Sequence, residues 1–461
     1  MDTRRFVRLC VMAVVVLSVT TIGYGYMTAG TTAAAGAGEQ ADGAATNQQA
    51  VEPRDNITVV ATDSNTWLGE KSDGPRANAE LIAFAPNGSV LYYNDSHTRY
   101  WDVDPVPETQ ATVEYVYAQH LNESQCGGET VCTRNGVERV NLTTGAVEQV
   151  YSGITPGKHS TRWHDVDRLD EDSLVVADIA EDRVYVVNTT TNLIEWEWEA
   201  RSDFTPDSGG PFPEDWTHLN DVEVLDDGRI MVSLRNHDQV VFLDRETGLQ
   251  ENWTLGTDDD HSVLYEQHNP DYMPEANGGP AVLVADSERN RIVEYTRDGD
   301  SWSKNWQWSD DRLQWPRDAD RLPNGHTLIT DSNGNRVFEI DENGEKVWSA
   351  DIAFPYEAER LGTGDESTGG SPMDSNESGN ASAGTGGGEN AETGGDGESS
   401  SGLVGPQLNA VMYVLPVWMG IPHLLALVAL CLTLVGWVAL EWRWSKYGVA
   451  FHAPVSLRSK R

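Results

Sequence analysis

A unit of short apolar runs and tight turns recurs along the chain and constrains its fold more than any other feature. The best copy, Trp216 to Asp244, reads WTHLNDVEVLDDGRIMVSLRNHDQVVFLD, in which a DDG turn and a polar break separate the apolar runs. Two further copies follow the same plan over residues 164–198 and 316–348. Runs of this length, bounded by Asp, Asn and Gly, predict antiparallel strands joined by tight turns.

The spacing of the copies predicts the architecture. A more divergent copy begins at His268, another covers residues 81–104, and a weak copy covers residues 112–150. The equivalent anchors Asp165, Asp221 and Asp318 lie 56 and 97 residues apart, and the longer gap corresponds to two repeats of roughly 48 residues. Several short strands per repeat of about 40 to 50 residues are typical of a β-propeller. The sequence therefore predicts an all-β fold with six blades.

The charge balance narrows the class of protein. The chain has 73 acidic and 32 basic residues and a net charge of −41, far more than solubility in dilute buffer requires. An acidic surface stays hydrated in concentrated salt, where repulsion is screened within about 3 Å at 1 M. We therefore expect a halophilic protein, although an acidic protein from another source is the alternative. Nucleic acid is not an expected partner, because its phosphates would be repelled.

Two apolar runs predict membrane attachment. Residues 1–27 carry three arginines and then an apolar run, which predicts an uncleaved anchor or a long signal peptide. A second span is predicted within residues 406–440, most securely from Ile421 to Leu440, and a basic tail follows over residues 441–461. Basic residues stay in the cytoplasm. Both termini are thus expected to be cytoplasmic, and the intervening chain extracellular in the cell membrane.

Composition also predicts the domain boundaries. Residues 28–55 and 363–405 are low-complexity segments of small and polar residues, which bury too little apolar surface to order themselves and are expected to be linkers. Residues 56–362 are left to form the extracytoplasmic propeller. This external region has a CGGETVC loop, where Cys126 and Cys132 are expected to form a disulfide rather than a metal site.

Glycosylation is expected outside the cell, because Asn-X-Ser/Thr sequons lie between the two apolar runs. The sequons are at Asn56, Asn87, Asn94, Asn122, Asn141, Asn188, Asn252, Asn376 and Asn380.

Cationic and imidazole side chains stand at or just before the first strand of successive repeats. They are His164, His218, His268 and Arg317, and Arg235 follows one hairpin after His218. The innermost strand of each propeller blade faces the central channel, so these side chains are expected to converge at one funnel. A single such histidine is ordinarily a turn residue, but three in register indicate a site.

The combination WTHLND, then SLRN one hairpin later, then QHN in the next repeat resembles the arylsulfotransferase (aryl sulfate sulfotransferase) family of six-bladed propellers. The resemblance covers about residues 57–360 and, with the charge and the spans, is to a haloarchaeal-type, membrane-anchored member. It implies transfer of a sulfuryl group from an aryl sulfate ester to a phenolic or other hydroxyl acceptor through a sulfated histidine. The chain has no GxxxxGK[ST] loop, so neither phosphoadenosine phosphosulfate nor another cofactor is implied.

The resemblance also implies roles for individual residues. Carried over to this chain, His268 is the nucleophile, His218 and Arg235 hold the sulfuryl oxygens, and His164 is a further channel histidine. Asn220 and Arg317, near the starts of the same strands, are expected to bind substrate.

Two other classes remain open from the sequence. A non-catalytic surface propeller for binding or adhesion would use the same scaffold without a nucleophile. A quinone-dependent dehydrogenase propeller is the second alternative, because tryptophans such as Trp196, Trp306 and Trp348 recur at the blade ends. Convergence of the histidines and arginines on one pocket favours the enzyme, and their dispersal favours the binding protein.

The charge leads to a prediction about salt. Because repulsion among the excess carboxylates is screened less at 0.1 M salt than at 1 M, the detergent-solubilised chain should be most stable above about 1 M potassium chloride. Thermal unfolding followed by circular dichroism should give a midpoint that rises steadily with salt. A midpoint indifferent to salt would contradict the halophilic interpretation.

Overall fold

The computed structural model describes ten stretches of the chain. They are residues 3–28, 49–63, 79–128, 131–157, 162–373, 381–382, 405–416, 418–445, 447–450 and 456–459. The chain forms two compact units, one made of Thr32–Tyr413 and the other of Met1–Thr31 with Val414–Arg461.

The larger unit is a six-bladed β-propeller, as the repeat predicts. Its first strands are β1 (Thr58–Thr62), β2 (Leu81–Phe84) and β3 (Val90–Asn94). Blade 1 contains β4 (Arg99–Pro105), β5 (Thr112–Asn122), β6 (Val131–Asn141) and β7 (Ala146–Pro156). Blade 2 contains β8 (Trp163–Asp170), β9 (Ser173–Asp178), β10 (Arg183–Asn188) and β11 (Leu193–Glu199).

The next three blades repeat this antiparallel order. Blade 3 contains β12 (Leu219–Val224), β13 (Ile230–Leu234), β14 (Gln239–Asp244) and the short β15 (Gly248–Leu249) and β16 (Leu255–Gly256). Blade 4 contains β17 (His268–Met273), β18 (Ala281–Asp286), β19 (Arg291–Asp298) and β20 (Ser301–Ser309). Blade 5 contains β21 (Pro316–Arg321), β22 (Thr327–Asp331), β23 (Arg336–Ile340) and β24 (Lys346–Asp351).

Blade 6 closes the ring with strands from both ends of the propeller. Its innermost strand, β25 (Pro355–Arg360), pairs with β1, and the sheet continues through β2 and β3. The predicted repeat copy at 81–104 is therefore not one blade, because β2 and β3 belong to blade 6 and β4 begins blade 1. The weak copy at 112–150 lies in the outer strands of blade 1. Turns within a blade and loops between blades use the same polar residues, so the sequence did not separate them.

The apolar core lies between neighbouring sheets. Middle strands such as β13 and β18 are buried along their whole length, whereas much of the outer strand β7 is exposed. One cluster joins blades 2 and 3, with Trp216 packed among the valines and leucines of both. Full burial of each such aliphatic side chain stabilises the fold by about 1.5–3 kcal/mol.

Every innermost strand carries one extra residue relative to its partner strand, near its beginning. The six β-bulges fall at Trp101-Asp102, His164-Asp165, Asn220, Asn269-Pro270, Arg317 and Tyr356. A bulge bends the strand and changes the direction of the side chains around it. The same device therefore shapes one end of the channel in all six blades.

Carboxylates connect the innermost strands of neighbouring blades, which do not pair as a sheet. The amides of Val103 and Val166 donate to Glu357 (2.7 Å) and Asp102 (3.3 Å). The remaining donor–acceptor pairs of this kind are Val222–Asp165, Val224–Asp167, Tyr272–Glu223 and Ala358–Asp318. These bonds satisfy backbone donors that would otherwise be buried without an acceptor.

Residues beyond the last blade complete the ring between blades 4 and 5. The Ser367 hydroxyl donates to Asp271 (2.5 Å) and accepts from the amide of Arg321 (2.6 Å). Residues 363–373, which composition places in a linker, thus lie against the propeller. The rest of the predicted 363–405 linker, with Asn376 and Asn380, lies outside the described residues apart from Gly405 and β26 (Ala381–Ser382), which pairs with β20.

Two apolar helices are long enough to cross a membrane. They are α1 (Thr3–Thr28) and, after the short helix α2 (Gly405–Val414), α3 (Ile421–Trp444). Arg8 bonds to Glu441 with distances of 2.6 and 2.7 Å, so the beginning of α1 lies beside the end of α3 and the two helices are antiparallel. A short hairpin of β27 (Tyr447–Ala450) and β28 (Ser456–Ser459) follows.

The structure divides the predicted 406–440 span. Residues up to Tyr413 belong to the propeller unit, and the membrane-length helix starts at Ile421. Pro416 and Pro422 explain the break, because proline lacks the amide that a continuous helix needs. In blade 1, Cys126 and Cys132 form a disulfide.

A buried ion pair between blades 4 and 5 leads to a stability prediction. Arg321 donates to Glu294 (2.9 Å), and both side chains are fully buried. Replacing Arg321 by alanine should lower the free energy of unfolding by about 3–5 kcal/mol, because a buried carboxylate loses its partner. Urea unfolding measures this. Arg312→Ala, which removes an arginine 68% exposed, should change stability by less than about 0.5 kcal/mol. Equal effects of the two substitutions would contradict the stabilising role of the ion pair between blades 4 and 5.

Candidate active site

Histidine and arginine side chains gather at the bulged end of the channel. We call this group, His164, His218, His268, Arg235 and Arg317, the histidine end. The rings of His164 and His218 are 5.4 Å apart. Tyr356 lies between His164 and His268, with ring distances of 5.7 and 6.3 Å.

His164 projects from the bulge of β8 into an aromatic setting. Its ring stacks on Trp101 at 4.1 Å, and its Nδ1 atom is 3.2 Å from the Tyr356 hydroxyl. Its Nε2 atom is buried and has no hydrogen-bond partner among the described residues. A buried polar atom of this kind is costly in a closed fold, so it marks a place where a ligand can bind.

His268, the first residue of β17, is held in one tautomer. Its Nδ1 atom is 2.8 Å from the Ser287 hydroxyl oxygen, and Ser287 donates its hydrogen to the Pro316 carbonyl (2.7 Å). A carbonyl can only accept, so the arrangement that satisfies both contacts has the single Ser287 hydrogen on the Pro316 carbonyl and Nδ1–H donating to Ser287. The lone pair of the neutral ring is therefore on Nε2.

The two arginines are fixed by different contacts. Arg235 forms an ion pair with Glu266 and donates to Asn236 (2.9 Å). Arg317 lies over Trp315 and Tyr356, with its guanidinium carbon 4.1 and 4.9 Å from the ring centres. In both arginines the Nε atom is buried without an acceptor among the described residues. These two unsatisfied donors are suited to an anionic group.

His218 and Asn220 complete the set of predicted residues. His218 has its Nδ1 atom 2.7 Å from Asp215. Asn220 donates from its amide to the carbonyl of Gln267 (3.0 Å), next to His268, and its Oδ1 atom has no donor among the described residues. All six predicted site residues thus belong to the same region of the propeller.

The electrostatic setting keeps the imidazoles neutral. Burial, and then Arg317 and Arg235, hold the pKa of His268 well below its usual range. Burial, and then His218, have the same effect on the pKa of His164. The pKa of His218 is also lowered, mainly by burial, although Asp215 opposes the shift. Positive charge at this end therefore resides on the arginines, while the histidines keep their lone pairs.

Glu288, whose pKa is influenced by Arg235, is a titratable residue that was not predicted from the sequence. It follows Ser287 and accepts a hydrogen bond from Asn409 (3.2 Å). Burial and then Glu266 raise the pKa of Glu288 to about 7, against the effect of Arg235. A carboxyl group with this pKa can exchange a proton near neutral pH. Nothing in the ADSERN stretch distinguishes it from an ordinary turn.

The aromatic lining was also missed, although the sequence contained a signal for it. Two of its residues are Trp101 and Tyr356, which each stand immediately before the first acidic residue of an innermost strand. The predicted residues His164 and Arg317 occupy the same position in their strands. Aligning the repeats on that acid would have placed all four at the same end of the channel.

Helix α2 packs near this group. Tyr413 lies against Trp315 and Phe354, with ring distances of 5.1 and 5.6 Å. Asn333 donates to the carbonyl of Asn409 (3.2 Å). Since Trp315 also contacts His268 at 6.2 Å between ring centres, α2 forms part of the surroundings of the site.

The chain matches the model of a known protein family over part of its length. A family model for arylsulfotransferase (ASST) matches residues 160–353, which comprise blades 2 to 5 and include His164, His218, Arg235 and His268. This match suggests arylsulfotransferase-like activity. No curated protein matches the chain.

Several solved structures match the chain at low identity and with TM-scores below 0.5. A Bacteroides caccae protein of unknown function is 10% identical, with 66% of this chain and 97% of that chain covered and a TM-score of 0.44. A periplasmic gluconolactonase of Pseudomonas aeruginosa is 15% identical (67% and 99% covered, TM-score 0.43). A virginiamycin B lyase of Staphylococcus aureus is 10% identical (63% and 87% covered, TM-score 0.35).

The contacts of His268 lead to a spectroscopic prediction. In the full chain labelled with ¹⁵N-histidine, His268 should show a protonated Nδ1 and an unprotonated Nε2, without titration between about pH 5.5 and 8. Its resonances are assigned by their loss in His268→Gln. Ser287→Ala removes the acceptor and should shift the tautomer population towards Nε2–H. Titration of His268 near pH 6.5, or an unchanged tautomer in Ser287→Ala, would contradict the derivation.

Proposed function

We propose that the protein is an arylsulfotransferase-like enzyme that moves a sulfuryl group from an aryl sulfate ester to a phenolic or other hydroxyl acceptor. The observation that carries the proposal is the fixed tautomer of His268, with a free Nε2 lone pair beside two guanidinium groups. The family match over blades 2 to 5 supports the same reaction class.

The first step is attack on sulfur by His268. The Nε2 lone pair forms an N–S bond while the ester S–O bond breaks, and the bonding electrons leave with the phenolate oxygen. Ser287 continues to accept from Nδ1–H and stabilises the ring as it becomes cationic. A neutral imidazole is needed for this attack, which fits the lowered pKa of His268.

The sulfuryl oxygens need donors as negative charge spreads over them. We assign this role to Arg235 and Arg317, whose Nε groups lack acceptors. His218 can join them as a donor only when its ring is protonated, because Asp215 takes its Nδ1 hydrogen and the neutral ring has its lone pair on Nε2. Donors fixed in advance are effective because they need not reorganise during the reaction. The Glu266 and Trp315 contacts hold the two arginines in position, and Asn220 is assigned to substrate binding.

The second step transfers the group to the acceptor. The acceptor hydroxyl loses its proton to Glu288 as its oxygen forms an S–O bond, and the N–S bond breaks to restore neutral His268. The pKa of Glu288, about 7, suits it to accept this proton. His164, stacked on Trp101, is assigned to the wall that orients the aromatic group.

The reaction needs no phosphoadenosine phosphosulfate, since the donor is itself the aryl sulfate. We further propose that the propeller is extracellular. The antiparallel pairing of α1 and α3 supports a topology with both termini on one side, and the basic residues near both termini favour the cytoplasm.

Substitutions at the histidine end test the proposed reaction. His268→Ala should abolish sulfuryl transfer from a chromogenic aryl sulfate to a phenol, and Arg235→Ala should slow it by roughly 100- to 1000-fold. Without acceptor, the wild type should release a burst of one phenol per chain, because the sulfated histidine accumulates. The matched control is His261→Ala, which removes a histidine 42% exposed outside this group and should retain wild-type rates. Full activity in folded His268→Ala would rule out the proposed mechanism.

Glu288 should affect the two steps differently. Glu288→Gln removes the proton acceptor while keeping the size of the side chain, so the phenol burst should persist and the later transfer to an acceptor should slow by roughly 100-fold. Transfer should recover with acidic phenols, which are already ionised. Stopped-flow kinetics separate the two phases, and an equal loss in both would contradict the role of Glu288 as the base.

A further inference from the structure

The innermost strands carry a second set of polar groups, distinct from the histidine end. Four carboxylates, which we call the acidic cluster, are Asp271, Asp318, Asp320 and Glu366. One oxygen from each lies within 4.8 Å of the others. Three come from β17 and β21, and Glu366 comes from the segment that follows β25. The first three are buried.

Asp320 shows that the cluster lacks a partner. Its side chain is 1% exposed, and neither carboxylate oxygen receives a hydrogen bond from any described residue. The Oδ1 atom of Asp318, also buried, lacks a donor as well. Burying a carboxylate without a partner costs several kcal/mol, so these oxygens must either be protonated or face a positive group.

Nearby arginines do not neutralise this charge. Arg360, on the innermost strand of the next blade, donates to Glu339 (3.1 Å) and to the carbonyl of Asp55 (3.2 Å). Arg321 is committed to Glu294 (2.9 Å). The described side chains therefore leave the acidic cluster without a bonded cation.

The segment over this end adds further negative charge. Asp365 and Glu366, within residues 363–373, lie beside acidic residues of β4, β8 and β12. A cavity of about 30 Å³ remains beside Glu366, lined by six carboxylates and three other residues. The six are Asp104, Asp165, Asp167, Glu223, Asp365 and Glu366. A cavity of this size has room for a bound water next to an ion.

We propose that the acidic cluster is a structural binding site for a divalent cation of the calcium class. All of its ligand atoms are carboxylate oxygens, which favour hard cations over zinc or copper. Calcium tolerates the irregular arrangement of ligands that several chain segments provide, whereas magnesium demands near-octahedral geometry. The ion would join β17, β21 and the segment that follows β25. It would lie between blades 4 and 5, where Ser367 links a carboxylate to an amide in place of the direct hydrogen bond found between other blades.

The test uses the full chain in detergent, in potassium chloride freed of divalent ions. The wild type, loaded with calcium and gel-filtered, should retain about one calcium per chain in elemental analysis. A chelator should lower the midpoint of thermal unfolding, and calcium should restore it at a lower concentration than magnesium. Asp320→Asn should weaken calcium binding at least tenfold and abolish the thermal response. Asp226→Asn, at an exposed turn carboxylate, should behave like the wild type.

Other outcomes would overturn the proposal. One is a wild type that retains no calcium and unfolds at the same temperature with and without calcium. This is the behaviour expected if the carboxyl groups of the cluster are protonated. Another is calcium binding that Asp320→Asn and Asp226→Asn reduce equally, which would indicate diffuse attraction to the acidic surface. If Asp320→Asn does not fold, chelation and re-addition of calcium with the wild type decides the question.

Discussion

The hydrogen bonds from innermost-strand amides to the carboxylates of the preceding blade are the interaction on which the structure depends. Innermost strands of neighbouring blades do not pair, so some of their buried amides need side-chain acceptors. Asp102, Asp165 and Asp318 are three that accept in this way. This need for acceptors explains why acidic residues recur near the start of the innermost strands, although buried positions are ordinarily apolar.

Both ends of the channel follow from that arrangement. The β-bulge of each innermost strand lies at or beside the first acid, and it turns residues such as His164, Arg317 and Tyr356 towards one end. Further acids on the same strands, Asp320 among them, lie at the acidic cluster. One strand plan thus produces a group of cationic and imidazole side chains and, separately, a cluster of carboxylates. The proposed anion site and the proposed cation site both derive from the same repeat.

Much of the fold could be predicted from the sequence, because a propeller repeats its pattern. The six-bladed architecture and the two apolar helices are confirmed. The blade boundary near residues 81–104 was wrong, since the closing blade is assembled from distant segments and local turn residues do not record that pairing. Ser367 also contributes through a contact distant in sequence, which no local pattern reveals.

The candidate site could be predicted in part. His164, His218, His268 and Arg317 stood out because each lies at or just before the first strand of a repeat, and the structure brings them together, although their roles stay predictions. Their positions are not all equivalent, since His164 and Arg317 lie in the bulges of their strands whereas His218 and His268 stand before the bulges of theirs. Ser287 and Glu288 could not be found, because their importance depends on a hydrogen-bond direction and on burial. A raised carboxyl pKa such as that of Glu288 arises from the folded surroundings and not from its neighbours in sequence.

The central claim is that His268 carries the sulfuryl group, and mass spectrometry of the chain tests it most directly. After brief incubation with an aryl sulfate and no acceptor, alkaline quenching preserves an acid-labile sulfated imidazole. The account predicts that the peptide containing His268 gains about 80 Da, the mass of one sulfuryl group, and that an added phenol removes it. Turnover without this adduct, or an adduct on another residue with His268 unmodified, would contradict the account.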